Sequence, residues 1–312
     1  MTTRARALAG IGAALAVPAV ARAQSTSALQ VAAVPEDSVT PALYADQAGL
    51  FKRNGLDVTL AAASSGSAIA SGVAGGAFQI AKSSLAGLIT AHAKGIPFVL
   101  VAAGGLYASH APIVGLLVKN DSPYKTAAEL NGKTVAVSAL NDLYAVCIKE
   151  WMKKNGGDPD SLKLIELPIS AVPEAVAAGR VDAGTVIEPV LQRAIDAKQT
   201  RVLAHPFDAI APSFMYSGWF ATAAWTSAHA KEAAAFARAM HDAAAYVNAH
   251  EAQTVPLLAK FSSIDANEIA KMTRVENGTT LDPKLIQPVI DACAAYKLIP
   301  APFNAREMIA AV

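Results

Sequence analysis

Short runs of aliphatic and β-branched residues alternate along the chain with segments whose apolar positions recur every three to four residues. That alternation is the mark of an α/β protein with mainly parallel sheets. Leu29–Val34 reads as the first strand, ended by Pro35. Pro41–Arg53 reads as one helix: proline stands in its first turn, Tyr44, Ala48 and Phe51 share a face, and Gly55 stops it. Strands are then predicted at Leu56–Ala62, Phe78–Ala81 and Pro97–Ala103, with helices at Ser67–Val73 and Leu85–Lys94.

A second cycle follows, with strands at Ile113–Val118, Thr134–Val137, Leu162–Leu167 and Asp182–Ile187 and helices at Asp142–Lys154, Val172–Ala178 and Pro189–Ala197. After a β-run at Ser213–Ala221 the chain is almost wholly helical, Ala228–Ala249 being the longest piece. In both cycles a small-residue helix ends at glycine and hands over to a strand, at Ala68–Gly72 before Phe78 and at Ala175–Gly179 before Val181. Two similar lobes fit this likeness, although any α/β protein offers such local coincidences.

The N-terminus follows a different rule. Arg4 and Arg6 precede an uncharged run from Ala7 to Ala21 broken by Pro18, and Ala21-Arg22-Ala23 follows before Gln24. A positive start, a short apolar stretch and a small-x-small site describe a secretory signal peptide, here residues 1–23. No Arg-Arg pair marks the twin-arginine route, and no cysteine follows the apolar run to take a lipid anchor.

Composition then changes meaning. Hydrophobic residues make up 53 % of the 312, but 70 residues are alanine, and no apolar run after residue 23 is long enough to span a bilayer as a helix. The formal charge of +1 becomes −2 once the signal is removed, leaving 23 Lys+Arg against 25 Asp+Glu. With no basic block, the electrostatic footprint of nucleic-acid binding is missing. Cys147 and Cys293 each lie in an apolar helical segment and read as buried free thiols. Two cysteines cannot form a four-thiolate metal site.

Catalytic signatures fail on inspection. Gly132-Lys133-Thr134 ends like a phosphate-binding loop, but Ala127 replaces the required first glycine and a strand follows where a helix should open. His250-Glu251 starts like a zinc-protease helix, but Thr254 stands in place of the second histidine. There is no G-x-S-x-G elbow.

Taken in order, the stretch Pro41–Val58, the block Asp121-Ser122-Pro123 with Glu129–Val137, the block Gly179–Ala183 with Glu188-Pro189, and the tail Leu281-Asp282-Pro283 with Lys297-Leu298-Ile299 resemble the nitrate/sulfonate/taurine and thiamine-pyrimidine family of periplasmic substrate-binding proteins. The resemblance implies a two-lobed α/β fold of the type II periplasmic binding kind, with two mixed sheets flanked by helices, a hinge and a central ligand cleft. It implies a lobe of residues 24–118 plus 218–312 with the C-terminal helices, and a second lobe of residues 119–217. The crossovers are then expected near Val118–Asp121 and Pro212–Ser217. It also implies a periplasmic monomer that hands a small solute to an ABC permease and its ATPase, with no cofactor, metal or catalytic group.

In such a fold the ligand is held by loops at the carboxyl ends of strands and by helix N-termini. On that argument the first lobe offers Glu36, Asp37 and Ser38, then Ser64, Ser65, Gly66 and Ser67, then Lys82, Ser83 and Ser84. Tyr44 joins them from the signature helix, with Tyr107 and His110 as a rim. The second lobe offers Ser138, Asn141 and Asp142, with Glu188 after a strand. Lys82 replaces a usually small residue of the family, and Ile187 an aromatic one. Tyr216, Trp219 and Phe220 read as core. Acids outnumber bases in these loops, which points to an organic solute with hydrogen-bond donors, an aminosulfonate or a pyrimidine-like heterocycle, ahead of bare nitrate. Two other readings stay open: an enzyme of the pyrimidine-synthesis type on the same fold, though without the cysteine cluster of those proteins, and a ligand-presenting subunit of a membrane sensor.

Overall fold

The computed structural model describes residues 26–63 and 65–311, so the signal-peptide reading of residues 1–23 and the assignment of Ser64 lie outside the described residues. The strands are β1 (Ser27–Ala33), β2 (Leu56–Ala62), β3 (Ile80–Ser84), β4 (Phe98–Ala103), β5 (Gly105–Ala108), β6 (Val114–Lys119), β7 (Thr134–Val137), β8 (Lys163–Glu166), β9 (Ala183–Ile187), β10 (Thr200–Ala204), β11 (Ser213–Met215), β12 (Ser217–Thr222) and β13 (Glu276–Asn277). They form one sheet in the order β2-β1-β3-β12-β4, a second in the order β10-β6-β9-β7-β8, and a small antiparallel sheet β11-β5-β13.

The two large sheets are built to one plan. β1 runs parallel to β2 and β3, and β12 is antiparallel to β3 and β4. Likewise β7 runs parallel to β8 and β9, and β6 is antiparallel to β9 and β10. The two helix-to-strand passages that look alike in sequence, Gly66–Ala74 into β3 and Val172–Ala177 into β9, occupy matching places. The fold is therefore mixed α/β with two sheets flanked by helices, as the motifs implied.

Packing follows from side-chain size. The helix Ala230–Ala249 lays Ala233, Phe236, Ala239, Met240 and Ala243 on the first sheet, all buried. Alanines at that spacing let the backbone approach closely, and Phe236 fills the space between Phe51 and Trp219, with ring centroids 5.5 and 5.6 Å away. Both faces of the second sheet are covered, one by Ile148, Trp151 and Met152, the other by Val172, Val176 and Leu191. A further cluster joins the lobes through Tyr107, Leu143, Cys147, Phe207, Ile290 and Cys293. Both cysteines are buried and free. No described helix is long and apolar enough to cross a membrane.

Several elements differ from the sequence reading for local reasons. The single helix expected at Pro41–Arg53 is two, Thr40–Gln47 and Leu50–Arg53, because Gly49 takes φ +68° between them. The run Ser213–Ala221 splits around Tyr216 into β11 and β12, which belong to different sheets. β6 pairs inside the second sheet, so the first crossover lies between β5 and β6, upstream of the expected Val118–Asp121. β5, β10 and β13 were not foreseen.

Candidate functional site

A cavity of about 240 Å³ lies where the two large sheets face each other. The first sheet supplies Val34 and Glu36 after β1, Lys82, Ser83 and Ser84 of β3, and Ser217 of β12, with Gly66 and Tyr216 beside them. The second supplies Ile187 of β9, Asp142, Leu143 and Tyr144 at the start of the helix Leu143–Lys154, and Phe207. A larger hollow of about 510 Å³ between Lys119, Glu174 and Gln199 is lined by one lobe alone. The cleft cavity has walls from both.

Three helices begin at this cleft, and each is capped by its own side chain. Ser65 Oγ accepts the Ala68 N–H at 3.2 Å, Ser84 Oγ accepts that of Gly87 at 3.3 Å, and Asp142 Oδ1 accepts that of Ala145 at 3.0 Å. The caps leave the positive ends of the helix dipoles pointing toward the cleft. Ser138 donates its hydroxyl to Asp142, and Ser65 and Ser67 share a hydrogen bond of 3.0 Å. Gly66 sits so near β3 that a Cβ there would stand 3.2 Å from Ser83 Oγ.

Lys82 points neither into solvent nor freely at a ligand. Its side chain is only 1 % exposed, and its ammonium is paired with the Glu36 carboxylate, which is 40 % exposed and also accepts from Ser38 Oγ at 3.2 Å. Burial of a lysine requires such a partner. The cavity therefore presents Glu36 and Asp142 against one lysine already neutralised. Burial first, and then the neighbouring Glu36 charge, push the phenols of Tyr144 and Tyr216 well up, so both are neutral O–H donors at physiological pH. Burial likewise holds the Asp142 carboxyl above its ordinary range, against the lowering by Ser138 and by main-chain N–H groups.

Of the residues singled out from sequence, Glu36, Gly66, Lys82, Ser83, Ser84 and Asp142 come together in the wall. Others are placed elsewhere. Asp37 turns away and takes a two-pronged bond from Arg274, Nη2 to Oδ1 at 2.7 Å and Nε to both oxygens at 3.0 Å. Ser38 is fully buried behind Glu36, within 3.5 Å of Ser217 Oγ. Tyr44 stacks on Tyr246 with centroids 4.0 Å apart, on the helical side of the first sheet. Tyr107 is no rim residue: it is fully buried and donates to Asp208 Oδ1 at 2.6 Å, where Ser109 also donates at 2.5 Å. His110 and Asn141 are exposed and outside the wall. Ser65, Ser67 and Ser138 act through caps and hydroxyl contacts beside it, not in it. Glu188 faces main-chain N–H groups instead of the cavity.

The sequence reading missed Tyr144, Phe207 and Leu143, whose apolar neighbours make them look like core, and it read Tyr216 as core. Phe207 does pack on Tyr107, Tyr144 and Phe214, with centroids 5.3 to 5.6 Å away. Neither cysteine lines the cavity, and burial pushes the Cys147 thiol well up and that of Cys293 up to about 12. Among the described residues, no group of three or more His, Cys, Asp or Glu side chains is arranged to hold a metal.

The family model described as NMT1/THI5 like matches residues 36–254, from the cleft glutamate to the helix Glu251–Ser262. The chain belongs to that family. Among solved structures it is similar to the periplasmic aliphatic sulphonate binding protein SsuA from Escherichia coli, with 20 % identity, 91 % of this chain and 92 % of that chain covered, and a TM-score of 0.76. The ligand binding component of an ABC-type import system from Staphylococcus aureus gives the same TM-score at 13 % identity, over 91 % and 96 % of the two chains. The periplasmic nitrate-binding protein NrtA from Synechocystis PCC 6803 matches at 15 % identity and TM-score 0.70, over 90 % and 84 %. No curated protein sequence matches the chain. At these identities the solved structures establish the two-lobed binding-protein fold of this NMT1/THI5-like chain.

Proposed function

We propose that this NMT1/THI5-like protein is the periplasmic solute receptor of an ABC importer, exported by a signal peptide cleaved after Ala23. It captures a small organic solute between its lobes and delivers it to the permease. The first lobe comprises the sheet β2-β1-β3-β12-β4 with the C-terminal helices, the second the sheet β10-β6-β9-β7-β8. The observation that carries the reading is the cavity of about 240 Å³ walled by both sheets, with Tyr144, Phe207 and Tyr216 as flat faces and Glu36, Ser83 and Ser84 as polar groups. Its size suits a molecule well below drug size. The solved relatives with sulphonate- and nitrate-binding names have the same fold.

The ligand is a donor-bearing organic molecule, sulfonate or taurine-like or pyrimidine-like. Lys82, the cation of the wall, is consumed by Glu36, so a bare inorganic anion would meet two carboxylates and no free positive side chain. A thermal-shift screen of taurine, hydroxymethylpyrimidine and nitrate tests this, because a ligand bound only to the native state raises its melting temperature. A rise with an organic solute supports the reading. A rise with nitrate alone would refute it.

A further inference from the structure

Glu188 ends β9 in the second sheet, yet its carboxylate reaches the other lobe. Oε2 accepts the Gln192 N–H at 3.0 Å, in the first turn of the helix Val190–Ala197. Oε1 accepts the Thr273 N–H at 3.2 Å, from the C-terminal part of the chain. The next two residues are bound just as firmly to the first lobe. Arg274 forks onto Asp37, and the Val275 N–H donates to Asp37 Oδ2 at 2.7 Å. Thr273–Val275 is thus a strap held by two carboxylates, Asp37 from the loop after β1 and Glu188 from the end of β9.

The strap is mechanically connected to the cavity. Asp37 follows Glu36, which lines the wall, and Glu188 follows Ile187, which lines it from the opposite lobe. Each anchor is one residue from a wall residue. Beside the strap, Arg193 Nη1 approaches Glu268 Oε2 at 3.9 Å, but Arg193 is half exposed and such a pair adds little. The carboxylate-to-N–H bond is the stronger kind, partly shielded from water. The Glu188–Thr273 bond therefore joins the two lobes, while the Asp37–Arg274 fork stays within one.

We propose that Glu188 is a positioning residue that latches the lobes together through Thr273 and so sets the affinity of a cavity it does not touch. The proposal rests on the receptor reading for the purpose of closure, but its test needs no ligand. Spin labels at Asp57→Cys and Arg180→Cys, exposed on opposite lobes, report the interlobe distance in the ligand-free protein, and the buried Cys147 and Cys293 leave the labelling to them. Glu188→Ala is expected to raise the open population about tenfold, as the loss of one charge-assisted hydrogen bond implies, with the distance distribution moving to longer values. Glu188→Gln, whose single carbonyl oxygen can accept only one of the two N–H groups at full strength, should fall between. Should the alanine variant not fold, the glutamine variant carries the same reading. A merely structural Glu188 would lower the melting temperature and leave the distances alone. Unchanged distances in the folded variants overturn the latch, whereas failure of every solute in the thermal-shift screen would overturn the receptor reading and leave the latch standing.

Discussion

The ammonium of Lys82, buried on β3, is paired with the carboxylate of Glu36, which stands half in the cleft. The two partners are not equivalent, since one is sealed from water and the other keeps access to it. Removing Glu36 strands a buried charge, whereas removing Lys82 leaves a carboxylate that can solvate.

Stability should show that asymmetry. Glu36→Ala is expected to cost about 3 kcal/mol, the scale for an uncompensated buried ion, while Lys82→Met should be near neutral or stabilising. Denaturant unfolding of both variants checks it.

Asp37 and Arg274 are each only 7 % exposed, and their fork is reinforced by Val275 N–H. Asp37→Ala should therefore lower the unfolding free energy by about 3–5 kcal/mol. Equilibrium denaturation would show it as a lower midpoint.

These placements also show what could be read from the chain itself. The element types and the two-cycle plan were legible because each depends on residues within a few positions of one another. Asp37 and Glu188 were correctly located at strand ends but wrongly aimed. Their partners, Arg274 and Thr273, lie 237 and 85 residues along the chain, and no local pattern encodes that meeting. Tyr144 and Phe207 were invisible for another reason: an aromatic on an apolar helix face or in a short turn looks the same whether it packs on core or lines a cavity. β5 escaped because it is four residues long and begins at a glycine.

Asp142 provides a pH signature. Burial raises its folded carboxyl above the unfolded value, so the folded state binds more protons between the two values, and stability falls as pH rises through that window. Asp142→Asn keeps a capping acceptor and removes the titration. Unfolding midpoints measured from acid to neutral pH should show wild type losing ground to the variant as pH rises above the ordinary aspartate range.

Gly104 lies against the first sheet, where a Cβ would stand 2.5 Å from the Ser217 carbonyl oxygen. Because the obstacle is backbone, Gly104→Ala should cost about 1–3 kcal/mol, read by denaturation. Ser217 lines the cavity and its hydroxyl accepts the Gly105 N–H at 2.9 Å, so solute binding should weaken in the same variant.

The central claim, that the cavity between Tyr144 and β3 holds a small organic solute, is tested most directly by calorimetric titration of taurine and hydroxymethylpyrimidine into wild-type protein and Tyr144→Ala. Saturable one-to-one binding of at least one of them, weakened about tenfold or more by loss of the ring and its hydroxyl, is the predicted result. Tight binding of nitrate with no response to either organic solute, or organic binding that Tyr144→Ala leaves unchanged, would contradict it.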